Sequence, residues 1–300
     1  MIFKESPCGR KEDNIIMSVK IISDSTCDLS PELIEKYGIK IMPLHIVLGD
    51  KEYEDGFSIT PDEIYKWSDE NNATPKTSAL NMEYAADVFR RIIEAGDEIV
   101  CFSISGEMST TANVMRIAAE ELDAQDKIFI IDSRNLSTGI GLQVIEAAIM
   151  AAEGHSGAQI AAHIEEIIPR VRASFVIDTL KFLHRGGRCS GMAAFAGTAL
   201  KLHPKIVVSE GKMTPTKKYM GNISRVVMNY VKDMEKNLKN AETDRVFITH
   251  SGCSKAIVSE VRAYLEELGI FREIHETRAG CVISSHCGPN TLGVLFIEKA

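Results

Sequence analysis

Residues 98–111, EIVCFSISGEMSTT, place four hydroxyls, Ser105, Ser109, Thr110 and Thr111, within seven positions. The apolar run 98–103 predicts a buried strand, and a helix is predicted from there to about residue 122. The hydroxyls therefore fall where a helix begins and its first N–H groups lack partners. Small hydroxyls beside the positive end of a helix dipole can hold an anion. No Lys or Arg lies between Arg91 and Arg116, so dipoles and hydroxyls would have to do this without a cation. The same residues also read as a serine-rich N-cap with no ligand. Thr77 and Ser78 follow Pro75 in a polar loop, where turn chemistry is their ordinary role. His286, in Ser285-His286-Cys287-Gly288-Pro289, titrates near neutrality and is either a donor to an anion or a loop histidine bonded to backbone. A rival reading makes Ser105 or Ser109 a nucleophile with His286 as its base. No G-x-S-x-G elbow is present, and no acid can be assigned as the third member.

The elements around these residues alternate strand and helix. Strands are expected at 19–23, 98–103 and 127–131, each followed by a helical pattern and each ending in hydroxyls: Ser25-Thr26, Ser103–Ser105 and Ser133. Ser30-Pro31 and Thr60-Pro61-Asp62-Glu63 open two further helices. Residues 39–48 are extended around Pro43, and 72–81 reads as a polar loop. Such spacing argues for a mostly parallel sheet, in which ligands collect at the carboxyl ends of strands. Beyond Pro169 come a strand, a short helix ending at His184-Arg185-Gly186-Gly187-Arg188, and a hairpin at Glu210-Gly211. Helices at 223–238 and 255–268 flank a strand at 245–249. Two closing strands are expected at 281–284 and 292–297. The fold class is α/β with two domains: an N-terminal one (18–170) with helices on both faces of its sheet, and a C-terminal α/β domain (171–300). Residues 1–17 read as an extension without fixed structure.

Composition narrows the function. With 45% hydrophobic residues the chain can bury a large core, and a net charge of -8 argues against general nucleic-acid binding. No apolar run approaches the ~20 residues of a membrane span, and no signal peptide is visible. Seven cysteines without C-x-x-C spacing, and eight histidines without H-x-x-x-H, give little support to a disulfide framework or a metal site. Cys101, inside an apolar strand, reads as core. A reducing cytoplasm is the expected compartment. Residues 181–218 hold eight Lys/Arg and one acid, Glu210. That segment is either a docking surface for an acidic partner or phosphate, or a solvated face.

In order along the chain stand Asp24-Ser25-x-x-Asp28-Leu29, Thr77-Ser78, Ser105-Gly106-x-Met108-Ser109-x-Thr111, and Asp132-Ser133 with Ser137-x-Gly139-x-Gly141. Leu183-x-x-Gly186-Gly187-Arg188 and His286-x-Gly288-Pro289-x-Thr291-Leu292-Gly293 follow. Together they resemble the DegV family of bacterial fatty-acid-binding proteins, including FakB-type fatty acid kinase subunits. The resemblance implies two α/β domains clasping one fatty acid. It implies a carboxylate held near Thr77, Ser78, Ser105, Ser109 and His286, with Arg188 close to the exposed carboxyl and a kinase partner. It also implies a non-catalytic lipid carrier, with no cofactor, no metal, no nucleic acid and no membrane insertion. The chain departs from the family pattern at Ala79-Leu80, where Gln-Pro is usual, and at Thr110 and Asn290, where Gly is usual. Met192, Phe195 and Leu200 are candidates for the apolar lining.

Overall fold

The computed structural model describes residues 18–189 and 202–300. Met192, Phe195 and Leu200 lie outside them. The chain begins with β1 (Val19–Asp24) and a 3-10 turn at Ser25–Cys27, then α1 (Pro31–Tyr37), capped by the Ser30 hydroxyl and stopped by Gly38 at φ +60°. After β2 (Lys40–Met42), β3 (His45–Leu48) and β4 (Lys51–Glu54), the capping box of Thr60 and Glu63 opens α2 (Pro61–Asn71). Then come β5 (Lys76–Ser78), α3 (Met82–Glu94), β6 (Glu98–Ser103), α4 (Thr111–Glu121), β7 (Ile128–Asp132), α5 (Thr138–Ala152) and α6 (Gly157–Ile167). The later half holds β8 (Val171–Val176), α7 (Leu180–Gly186), β9 (Leu202–Ser209), β10 (Lys212–Met220), α8 (Ile223–Asp233) and α9 (Glu235–Lys239). It closes with β11 (Arg245–His250), α10 (Lys255–Leu268), β12 (Glu273–Arg278), α11 (Cys281–Cys287) and β13 (Leu292–Ile297).

Three sheets result. The first is fully parallel, in the order β2-β1-β6-β7; the second, β10-β9-β8-β13-β11-β12, is antiparallel except for β11 beside β12. A small antiparallel sheet, β4-β3-β5, completes the set. In β13 every residue is buried, and alternate residues serve opposite faces. Leu295 and Ile297 join one core cluster, while Leu292, Val294 and Phe296 join another with α8 and α10. The larger cluster runs without a break from Ile21 in the parallel sheet to Ile297 in the six-stranded one. α5 lies within it, buried from Thr138 to Ile145. Such a buried position requires a helix that is apolar over most of its surface, and buried Gln143 is accommodated by donating to the Ser133 and Gly139 carbonyls.

Four local expectations are corrected. Residues 281–284 form the start of a helix, not a strand. The run Cys-Val-Ile looks like a strand because it is β-branched, but two remote carboxylates supply the acceptors a helix start needs. The loop 72–81 contains β5, recruited by pairing of Thr77 with Ile46 and Ser78 with His45. β12 was not expected at all; its buried partner β11 draws a largely polar stretch into the sheet. Finally, the helix expected over 223–238 breaks at Met234, whose N–H tightens onto Val231 and Lys232.

Candidate functional site

The carboxyl ends of β1, β6 and β7 emerge side by side, because Ser23 pairs with Phe102 and Ser103 with Asp132. From β1, buried Asp24 accepts from the Ile104 N–H at 2.8 Å. From β7, Asp132 accepts from the Gly106 N–H at 3.1 Å, and the Asn135 carbonyl takes the Ser105 N–H at 2.9 Å. Glu107, Met108, Ser109 and Thr111 also bond their N–H groups inside the turn. The backbone donors here are thus largely occupied by the protein itself. What the turn offers outward is its side chains.

Those side chains form one wall of a cleft of about 440 Å³. Much of the lining is apolar: Leu44, Ile104, Met108, Leu136, Met213, Val282 and Ile283. The polar side chains of the lining come from Thr77 and Ser78 on β5, Glu107, Ser109 and Thr110 on the turn, His286 on α11, and Arg188, with Thr77 and His286 in direct contact. Of the six residues singled out in the sequence, Thr77, Ser78, Ser109, His286 and Arg188 line this cleft together. Ser105 does not. It is fully buried, and its hydroxyl donates to the Gly211 carbonyl at 2.8 Å.

His286 is placed by helix geometry and by a glycine. Its Nε2 lies 2.9 Å from the Thr77 hydroxyl, while Nδ1 is buried without a partner against Gly186, where any Cβ would collide with the ring. Burial, with the nearby Arg188 adding to it, lowers its pKa to about 4. The ring is neutral at physiological pH. With the proton on Nε2 it donates to Thr77, which leaves the threonine O–H free to donate into the cleft. Arg188 lines the cleft but stays exposed, its Nη1 donating to the Gly186 carbonyl at 2.7 Å. It borders a further recess of about 290 Å³ shared with Lys212 and Glu107.

α11 owes its position to Asp28 and Asp55, both buried. Asp28 accepts from the Gly280 N–H at 2.8 Å and from the Ser137 hydroxyl at 2.5 Å; Asp55 accepts from the Cys281 N–H at 2.6 Å and from Ser25 at 2.8 Å. Gly280 fits because a Cβ there would sit 3.1 Å from both carboxylates. Burial raises the pKa of all three aspartates, with Asp24 at about 6. Asp24 and Asp28 stand out in the sequence as a spaced acidic pair, but nothing there connects them to residues 104 and 280. Among the described residues no group of His, Cys, Asp and Glu could hold a metal ion.

The profile described as "Uncharacterised protein, DegV family" matches residues 18–299. The chain belongs to the DegV family. A DegV domain-containing protein of Caldanaerobacter subterraneus is 33% identical over 284 residues, covering 94% of this chain and 99% of the relative. A structure described as fatty acid binding of a DegV family protein from Thermus thermophilus superposes with a TM-score of 0.87. It shares 30% identity and is covered completely by 94% of this chain. A stearic acid-binding protein from Eubacterium ventriosum gives a TM-score of 0.81 at 28% identity, covering 94% of this chain and 98% of that one.

The departures from the DegV pattern each have a visible accommodation. Asn290 takes the left-handed conformation at φ +56°, which Asn tolerates better than most residues, and its amide donates to Asp178 at 3.0 Å. Thr110 sits at an ordinary φ of -85° as the N-cap of α4 and adds a hydroxyl to the cleft wall. Ala79 lines the cleft, and Leu80 is packed in the core.

Proposed function

We propose that this protein binds one long-chain fatty acid in the cleft, with the carboxyl group among Thr77, Ser78, Ser109 and the His286–Thr77 pair. The observation that carries this is the make-up of the lining: mostly apolar side chains, together with the hydroxyls of Thr77, Ser78, Ser109 and Thr110 and a neutral His286 held against Thr77, beside Glu107 and Arg188. Each methylene withdrawn from water contributes about 0.8 kcal/mol, so a long chain offers on the order of 10 kcal/mol gross. Association and ordering remove several of these, which still leaves micromolar or tighter binding. A carboxylate buried without partners would forfeit that gain, and hydroxyl donors offset the cost. The fatty acid and stearic acid binding of the Thermus and Eubacterium proteins supports this assignment.

The protein is a carrier that presents the acid at a mouth flanked by Arg188, and a fatty acid kinase catalytic subunit is the partner that would phosphorylate it. Hydrolysis is disfavoured by geometry: His286 bonds Thr77 and neither Ser105 nor Ser109, and its Nδ1 has no carboxylate to orient it. No helix of the described residues is long and apolar enough to cross a membrane. Denaturing the purified protein, extracting with solvent and weighing the extract should return a stoichiometric acid of roughly C14 to C18, about the span of one ~20 Å element. An empty extract, together with no uptake of added palmitate, would refute the assignment. Adding a fatty acid kinase subunit and ATP should yield acyl phosphate, whereas the pure chain should turn over no ATP.

A further inference from the structure

Ser105 is the one predicted contact residue that faces away from the cleft, and what it faces is the tip of the β9–β10 hairpin. Its single hydroxyl proton is committed to the Gly211 carbonyl at 2.8 Å, and its oxygen accepts from the Glu107 N–H at 3.3 Å. A hydroxyl has one proton to donate, so Ser105 has none left for a carboxylate. The hairpin turn, Glu210-Gly211, has both central residues at positive φ, +49° and +79°. Gly211 is required for a second reason: a Cβ there would stand 2.6 Å from Ser105 Oγ. The next residue, Lys212, reaches Glu107 of the same turn at 3.4 Å, and Met213 then lies on the cleft wall. Among the described strands β10 is the outer one of its sheet, paired with β9 and bridged at Met213 to Cys189, and its register slips between Pro215 and Lys217.

We propose that Ser105 is a positioning residue: its hydroxyl latches the β9–β10 hairpin, which carries Met213 on the cleft wall, against the serine turn, and release of that latch admits and frees the lipid. The inference rests on the cleft being the fatty acid site. A latch sets rates, whereas a carboxylate contact sets affinity. Ser105→Ala should therefore raise both the association and the dissociation rate of cis-parinaric acid by about tenfold, the size of one lost neutral hydrogen bond. The dissociation constant should stay within about threefold of wild type. Gly211→Ala, which wedges the same contact, should do the same, and the double variant should go little further than either single one.

Hydrogen exchange of the 209–213 amides in lipid-free protein gives a readout that needs no ligand. It should quicken in both single variants while exchange in β6 is unchanged. A weaker dissociation constant arising from faster release alone, with unaltered association, would make Ser105 a carboxylate contact and overturn the latch. So would hairpin exchange identical to wild type. If wild type binds no cis-parinaric acid while hairpin exchange still quickens, the lipid assignment fails and the hairpin contact stands.

Discussion

His286 and Asp24 titrate in opposite senses, and their signs can be worked out separately. Burial holds the His286 pKa near 4. Between about pH 6.5 and 4 the unfolded ring carries a proton that the folded one refuses, so stability is lost as pH falls through that window. Asp24, raised to about 6 by burial, keeps a proton that the unfolded carboxyl has already released. Its contribution to stability therefore grows as pH falls from 6 toward 4. Each contribution is on the order of 3 kcal/mol at most, and together they partly cancel. His286→Asn removes only the first. Urea unfolding should show wild type losing up to about 3 kcal/mol relative to the variant between pH 7 and pH 4; parallel profiles would show that the ring is not buried and neutral. Thr77→Val keeps the shape of the wall and deletes the hydroxyl that His286 orients. Fatty acid affinity measured by displacement of a fluorescent analogue should fall about tenfold, with little change in thermal stability.

Among the elements, α11 deserves the closest test, because seven residues with β-branched Val282 and Ile283 have little intrinsic reason to be helical. Its first N–H groups are held by Asp28 and Asp55, which reach it from positions more than two hundred residues away in the chain. Asp55→Ala strands the Ser25 hydroxyl and the Cys281 N–H in the interior. It should cost about 2 to 4 kcal/mol by urea denaturation. Asp55→Asn keeps an oxygen acceptor and relieves a buried charge, and should cost clearly less. Equal losses in the two variants would mean that Asp55 fills space rather than capping the helix. Because α11 also carries Val282, Ile283 and His286 into the cleft, the alanine variant should lose lipid affinity along with stability.

At the scale of the whole molecule, the parallel and six-stranded sheets share one core through α5. Separate unfolding of either sheet would expose that helix. The single tryptophan, Trp67 of α2, packs against the shared cluster. Its fluorescence and the far-UV ellipticity should therefore report coincident urea midpoints. Two separated transitions would show that the sheets are independent units.

Much of this was legible before any coordinates. The parallel sheet, most helix boundaries and the grouping of hydroxyls at strand ends follow from period, caps and turn residues, which are local and act over a few positions. The residues Thr77, Ser78, Ser109, Arg188 and His286 are singled out by the likeness of their short motifs to the DegV pattern rather than by local physics, which reads Thr77 and Ser78 as ordinary turn residues. What the chain did not disclose alone is everything decided by partners far away in sequence. Whether Cys281–Ser284 coils or extends depends on acceptors at Asp28 and Asp55. Whether Ser105 meets solvent, ligand or Gly211 depends on where an edge hairpin lands. A hydroxyl or an N–H has no preference among acceptors until folding brings one within about 3 Å, and only the tertiary structure makes that choice.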